Sequence, residues 1–158
     1  MKVLKKNFYY LLLIFFLFSI DRITKYLIVT SSSLSESLVI EITSFLNFNL
    51  IWNDGIAFGL LSFHDGIYYN TLTVIIIIII TVLIYLLNRS NNNEKFGFSL
   101  IIGGSLGNVF DRLYYRSVID FIDLHINDIH WFIFNVADIF ITIGILIIIT
   151  LEFFKKND

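Results

Sequence analysis

The stretch Tyr68-Tyr-Asn-Thr-Leu-Thr-Val-Ile-Ile-Ile-Ile-Ile-Ile-Thr-Val-Leu-Ile-Tyr-Leu-Leu87 decides which solvent this chain folds in. It carries no charge over its whole length, and about 20 such residues are what a helix needs to cross a bilayer. The isoleucine run 75–80 would favour a strand in water. In hydrocarbon each backbone group must find its partner within the segment, so the same run is read as helix. Three more stretches reach that length: 8–29, 96–115 and 131–154. The expected fold is a membrane all-α protein with four transmembrane helices, formed by one domain over 1–158.

The rest of the composition agrees. Of 158 residues, 57% are hydrophobic and 15% charged, with mean hydropathy +0.82. Soluble domains lie nearer about 45–50% apolar and about 25% charged. A disordered chain is excluded, and a water-soluble domain is disfavoured. The absence of cysteine removes disulfide scaffolds, cysteine-ligated zinc and thiol nucleophiles. A net charge of −2 without a basic run offers nucleic acid no grip.

Orientation follows from Lys and Arg outside the spans. Lys2, Lys5, Lys6, Arg89, Lys95, Lys155 and Lys156 fall on the side shared by both termini. Opposite them stand a segment, 30–67, without Lys or Arg, and Arg116. Both termini are therefore expected in the cytoplasm. Asp21, Arg22 and Lys25 follow the first apolar run with no small-residue cleavage site, so that run is read as an uncleaved span.

The outer segment predicts a small β-rich extracytoplasmic part at about 38–61. Leu38-Val-Ile-Glu-Ile and Phe45-Leu-Asn-Phe-Asn-Leu-Ile-Trp alternate roughly at period two, and Asn53-Asp54-Gly55 reads as a tight turn. Residues 56–61 then lead along the interface into the second span.

Polar residues inside a membrane are costly, and each needs a reason. Asp21 and Lys25 are four apart and share a helix face. Asn108, Asp111 and Arg112 share another, about 18–24 Å along the third span. Asn135 and Asp138 lie in the outer half of the fourth, and Asp120 falls in the loop between spans three and four. Asp21–Lys25 and Asp111–Arg112 read as charge pairs locking helices together, and the asparagines as interhelical glue. Asp120 and Asp138 are left without cations. They fit a shared-proton carboxylate pair, although spacing alone leaves a structural role open.

Other constellations are weaker. His64, His125 and His130 lack metal-ligand spacing and read as interfacial side chains. Ser19 is on a different helix face from Lys25, which argues against a Ser/Lys nucleophile. Gly103, Gly104 and Gly107 suit close helix contact, and Trp52 and Trp131 suit interfacial anchors. A transporter also uses intramembrane charges, but it would spread them through the full depth. Here the inner halves are almost free of charge.

Taken in order, Asp21-Arg-Ile-Thr-Lys25, Asn53-Asp-Gly-Ile-Ala-Phe58, Gly103-Gly-Ser-Leu-Gly-Asn108-Val-Phe-Asp111-Arg112, Val118-Ile-Asp120-Phe-Ile and Phe134-Asn135-Val-Ala137-Asp138 resemble the lipoprotein signal peptidases (signal peptidase II). The resemblance runs from Asp21 to the end of the fourth span. It implies four spanning helices, an external β-cradle and a mobile external helix. It also implies an aspartic endopeptidase without metal or cofactor, which cuts prolipoproteins just before a diacylglyceryl-modified Cys. Asp120 and Asp138 match the catalytic pair. Asp21, Lys25, Asn53, Gly55, Ala57, Asn108, Asp111, Arg112, Asn135 and Ala137 match residues that bind substrate or support the dyad. The implied setting is a bacterial cytoplasmic (inner) membrane, where a multi-pass monomer works near the outer face on lipidated precursors among membrane lipids. Arg22 stands where the family often has Gln, and Asp54 where it often has Thr. Neither matches a presumed catalyst, so only a local charge effect is expected of them.

Overall fold

The computed structural model describes residues 2–34, 39–55, 66–126 and 129–155. In chain order these form α1 (Lys2–Leu34), β1 (Val39–Thr43), β2 (Leu46–Asn53), α2 (Gly66–Arg89), α3 (Asn92–Tyr114), β3 (Val118–Ile126), β4 (Ile129–Phe134) and α4 (Val136–Lys155). The isoleucine run is helical, as the bilayer argument requires. The Asn91–Asn93 connection has a structural task. Asn91 Oδ1 accepts the Asn93 and Glu94 amides, and Glu94 Oε2 accepts the Asn91 amide, closing a capping box at the start of α3.

α3 packs against all three other helices. Its glycines make that possible. A Cβ on Gly104 would stand 2.5 Å from the Ala137 carbonyl oxygen, and one on Gly107 would collide with the Asp21 carboxylate. Only a bare backbone lets α1 and α4 come this close.

Burial is inverted relative to a soluble protein. Asp21, Asp111 and Asn135 are fully buried. Val74, Ile75, Ile77 and Ile78 on α2, Phe15 and Phe16 on α1, and Leu146 and Ile149 on α4 are exposed. A continuous apolar exterior over polar contents is a surface meant for hydrocarbon. Among the described residues, α2 and α4 are long and apolar enough to cross a membrane, with mean hydropathies of 2.7 and 2.3. A small apolar core of Ile80, Leu87, Ile102 and Val109 joins α2 to α3.

The strands form one antiparallel sheet, ordered β1-β2-β3-β4. Two expectations change here. Asp120 is not in a loop: it lies on β3, opposite Ile51 of β2. Trp131 does not open the fourth span either, since it belongs to β4 and α4 begins at Val136. Hydropathy alone cannot tell an apolar strand from the helix it leads into, whereas Asn135 marks the break. The expected β region at about 38–61 is therefore half of a larger sheet. Residues 56–61 lie outside the described residues.

Candidate active site

The site grows from α1. Asp21, Arg22 and Lys25 come within one helical turn, and α3 brings Asp111 to meet them. Lys25 Nζ reaches Asp111 Oδ2 at 2.7 Å and Asp21 Oδ1 at 3.1 Å. Arg22 Nη1 reaches Asp111 Oδ1 at 2.5 Å, and its Nη2 reaches Asp21 Oδ2 at 2.6 Å. Each carboxylate thus gives one oxygen to the lysine and the other to the arginine, closing a neutral quartet. The Ala137 amide donates to Asp21 Oδ1 and the Ile119 amide to Asp111 Oδ2, so the quartet also holds the start of α4 and β3.

This arrangement corrects the expected Asp111–Arg112 pair. Adjacent helical residues point about 100° apart and do not face each other. Arg112 instead turns to the sheet side, where Nη2 donates to the Gly55 carbonyl at 2.8 Å and the guanidinium covers the Tyr69 ring. Its Nε and Nη1 are buried and have no hydrogen-bond partner among the described residues. Arg22, expected to affect only local charge, occupies the place assigned to Arg112. The missed signal was the cost itself: an arginine within an apolar span must have a partner.

Lys25 has one more bond to give. Its Nζ donates to Asn108 Oδ1 at 2.9 Å, which fixes the amide so that Nδ2 donates to Asp138 Oδ1 at 2.8 Å. Asn135, the N-cap of α4, completes the set. Its side-chain oxygen accepts the Asp138 amide while its own amide donates to Asp138 Oδ2, both at 3.1 Å. Its Nδ2 donates to Asp120 Oδ1 at 2.6 Å and to Asn108 Oδ1 at 3.2 Å. Asn53 Nδ2 donates to Asp120 Oδ2 at 2.8 Å, and Asn53 Oδ1 accepts the Gly55 amide, forming the expected turn. A register shift in the β2–β3 pairing lies between Phe48 and Ile51, beside Asp120; irregularities of this kind re-aim side chains near functional sites.

Asp120 and Asp138 therefore receive amide donors, and neither has a cation within ion-pair distance among the described residues. Both line a cavity of about 360 Å³ between α2, α3, α4 and the sheet. Asn53, Asn108 and Arg112 line it too, with Leu72 and Ile76 forming part of the apolar wall. Burial raises the Asp120 carboxyl from 3.8 to about 6, against the Asn53 and Asn135 hydrogen bonds and with help from the Asp138 charge. Of the other expected residues, Gly55 supplies its carbonyl to Arg112, and Ala137 is completely buried against α3. Ala57 and His64 lie outside the described residues, as does the side chain of His130.

With this geometry in place, comparison with known proteins is informative. A family model described as signal peptidase (SPase) II matches residues 13–154. The lipoprotein signal peptidase of Pelagibacter ubique (strain HTCC1062) is 47% identical over 157 residues, covering 99% of this chain and 95% of that relative. The protein of the same name from Francisella tularensis subsp. mediasiatica (strain FSC147) is 41% identical over 161 residues, covering 99% of both chains. A solved bacterial membrane enzyme superposes with a TM-score of 0.81 at 32% identity, over 93% of this chain and 88% of its own. A second gives 0.76 at 33%, over 90% and 91%.

Proposed function

The chain belongs to the signal peptidase II family of peptidases, and from that premise we propose that it removes the signal peptide of prolipoproteins by hydrolysis just before a diacylglyceryl-modified Cys. The observation that carries this reading is the dyad: two carboxylates, Asp120 buried and Asp138 half-buried, held by three asparagines and, among the described residues, by no cation at ion-pair distance, facing one cavity. Two such groups share a proton, because both cannot ionise cheaply at close range.

The chemistry follows from that proton. The ionised carboxylate takes a proton from a water whose oxygen attacks the scissile carbonyl carbon, while the protonated partner donates to the carbonyl oxygen. Collapse of the tetrahedral intermediate breaks the C–N bond, and the proton taken from water passes to the leaving amine. No acyl-enzyme and no metal take part. Asn108, Asn53 and Asn135 hold the carboxylates in register, and the quartet holds Asn108. The free Nε and Nη1 of Arg112 supply donors for substrate main-chain carbonyls. The walls from α2 and α4 receive apolar segments of the precursor from the lipid side.

The protein acts as a single four-helix domain, multi-pass and monomeric, in a bacterial cytoplasmic (inner) membrane. The Lys and Arg asymmetry supports cytoplasmic termini and a site near the outer face. Reporters after Asn92 and near Ser33 should then report opposite sides. The functional test is incubation of purified protein with a diacylated prolipoprotein and with its unlipidated form. Rapid cleavage of the first and little of the second is expected; equal rates would sink the lipoprotein assignment.

A further inference from the structure

Tyr69 has no task in the chemistry above, yet it is buried in the first turn of α2, only 6% exposed. Its hydroxyl has no hydrogen-bond partner among the described residues, a state that costs stability rather than adding it. The ring is what makes contact. The Arg112 guanidinium lies over it with its carbon 5.3 Å from the centroid, inside the range of about 6 Å for a cation–π contact. Arg112 has little else to hold it. Its Nη2 donates to the Gly55 carbonyl at 2.8 Å, while Nε and Nη1 are buried and unpartnered among the described residues. Arg22, by contrast, rests on two carboxylates. Two contacts therefore fix the Arg112 guanidinium: the Tyr69 face from α2 and the Gly55 carbonyl just past β2.

Gly55 passes the constraint on. Its N–H donates to Asn53 Oδ1 at 2.9 Å, and Asn53 Nδ2 donates to Asp120 Oδ2 at 2.8 Å. With its oxygen held, the amide can present only its nitrogen to the carboxylate. The path Tyr69, Arg112, Gly55, Asn53, Asp120 thus joins α2 to β3 without crossing the quartet. The other groups around Asp120 do not depend on Tyr69. α4 brings the Asp138 charge, which raises the Asp120 carboxyl, and α1 brings Lys25, which lowers it. On α3, Asn108 lines the shared cavity and Asp111 is committed to Arg22 and Lys25. Asp54 sits within the turn, and α2 lines the cavity with Leu72, Ile76, Ile79 and Leu83, none of which titrates. His130 of β4 is in register with His125, toward the far end of β3 from Asp120.

We propose that Tyr69 is a positioning residue for Asp120: its ring keeps Arg112 on the Gly55 carbonyl and so keeps Asn53 on the dyad. This rests on the dyad mechanism proposed above.

A hydrogen bond to a carboxylate favours its ionised form, so loosening Asn53 moves the Asp120 titration to higher pH. The test compares purified full-length Tyr69→Leu and Tyr69→Phe with the wild type, in the pH profile of kcat/KM on a diacylated prolipoprotein. In Tyr69→Leu the limb near pH 6 should move up by about half a unit or more, a factor of about three in proton affinity. Tyr69→Phe keeps the ring and should keep the wild-type profile. An unmoved limb in Tyr69→Leu overturns the relay even if Tm falls, because lost packing alone does not retune the dyad. A moved limb in Tyr69→Phe overturns it as well, since the hydroxyl would then be the working contact. If the wild type cleaves nothing, the peptidase reading falls, and a second measurement still reads the relay without turnover. The Tm difference between Tyr69→Leu and the double variant Tyr69→Leu/Asp120→Asn is followed from pH 4 to pH 8. Its midpoint should lie above that of the difference between wild type and Asp120→Asn; coincident midpoints overturn the relay. If Tyr69→Leu does not accumulate, Arg112→Met, one step along the path, should move the same limb and midpoint in the same direction. Unmoved values there overturn the proposal too.

Discussion

Two pairs of carboxylates meet in this bundle, all buried but the half-buried Asp138, and the protein compensates them in opposite ways. Asp21 and Asp111 share two cations, with every oxygen in an ion pair. Asp120 and Asp138 have the amides of Asn53, Asn108 and Asn135 and the backbone N–H of Asn135. A carboxylate fully paired with cations is fixed in its ionised form and holds helices in register. One held only by neutral donors in a buried site is pushed up toward ordinary pH, as Asp120 is with its value near 6. The first pair builds the site; the second is free to do chemistry. Lys25 joins them, touching both quartet carboxylates and, through Asn108, Asp138.

Exchanging Asp for Asn at each position should separate the two roles. Asp120→Asn and Asp138→Asn are each expected to lower turnover by about a thousandfold or more, while the protein stays folded in detergent. The double variant should be scarcely worse than either single one, because members of one catalytic unit are not additive. Cleavage of lipidated precursor by well-folded Asp120→Asn protein, at a rate within tenfold of wild type, would end the dyad mechanism.

Asp111→Asn should fail in another way. It leaves Arg22 and Lys25, both largely buried, with one carboxylate between them, and breaking such a buried pair costs about 3–5 kcal/mol. Lost expression or a clearly lowered Tm should accompany lost activity. A normal Tm with zero activity would place Asp111 among the catalysts instead.

The sequence disclosed these two pairs unevenly. The helices were legible because the bilayer restricts long apolar stretches to helix, and α2 and α4 are long and apolar enough to cross it. The dyad stood out as two aspartates without nearby cations. The sheet was half legible. Val118-Ile-Asp-Phe-Ile-Asp-Leu-His-Ile126 and Ile129-His-Trp-Phe-Ile-Phe134 have strand composition around Asn127-Asp128. Their aromatics, however, continue without a break in hydropathy toward α4. Adjacency in sequence pairs Arg112 with Asp111, which helix geometry forbids. The resemblance attaches no task to Arg22, although the cost of burying its charge demands the partners it finds in Asp21 and Asp111.

Asp120 supplies a test of sign. Its carboxyl is raised from 3.8 to about 6, so the folded state binds the proton more tightly than the unfolded chain. That stabilisation is complete below about pH 3.8 and is lost as pH rises through 6. The loss is on the order of 3 kcal/mol. Asp120→Asn cannot titrate, although its amide gives up one of the two acceptor sites used by Asn53 and Asn135. Its Tm relative to wild type should therefore improve between pH 4 and pH 7, whatever the offset at pH 4. A constant difference across that range would mean that Asp120 is ionised throughout in the folded protein.

The smallest expected effect concerns Arg22, and it tests how far the quartet depends on its outer cation. Removing Arg22 frees Asp21 Oδ2 and Asp111 Oδ1, while Lys25 still bridges the other two oxygens. The arginine side chain is 18% exposed, against 1% for Lys25, so the freed oxygens lie at the margin of the bundle. The guanidinium also covers the Phe110 ring, with its carbon 4.8 Å from the centroid. In Arg22→Gln, one amide can restore a hydrogen bond to one carboxylate but brings no charge. The net loss should be about 2 kcal/mol, the scale of one hydrogen bond to a charged group. In Arg22→Leu no donor remains, and the loss should be larger. Thermal unfolding of both variants in one detergent should rank wild type above Gln and Gln above Leu, with Asp111→Asn at or below Leu. If Arg22→Gln unfolded as early as Asp111→Asn, Lys25 alone could not hold the two carboxylates, and the quartet would be a single indivisible unit. If Leu matched wild type, the short Arg22 contacts would contribute nothing to stability, and Lys25 would suffice to join α1 to α3.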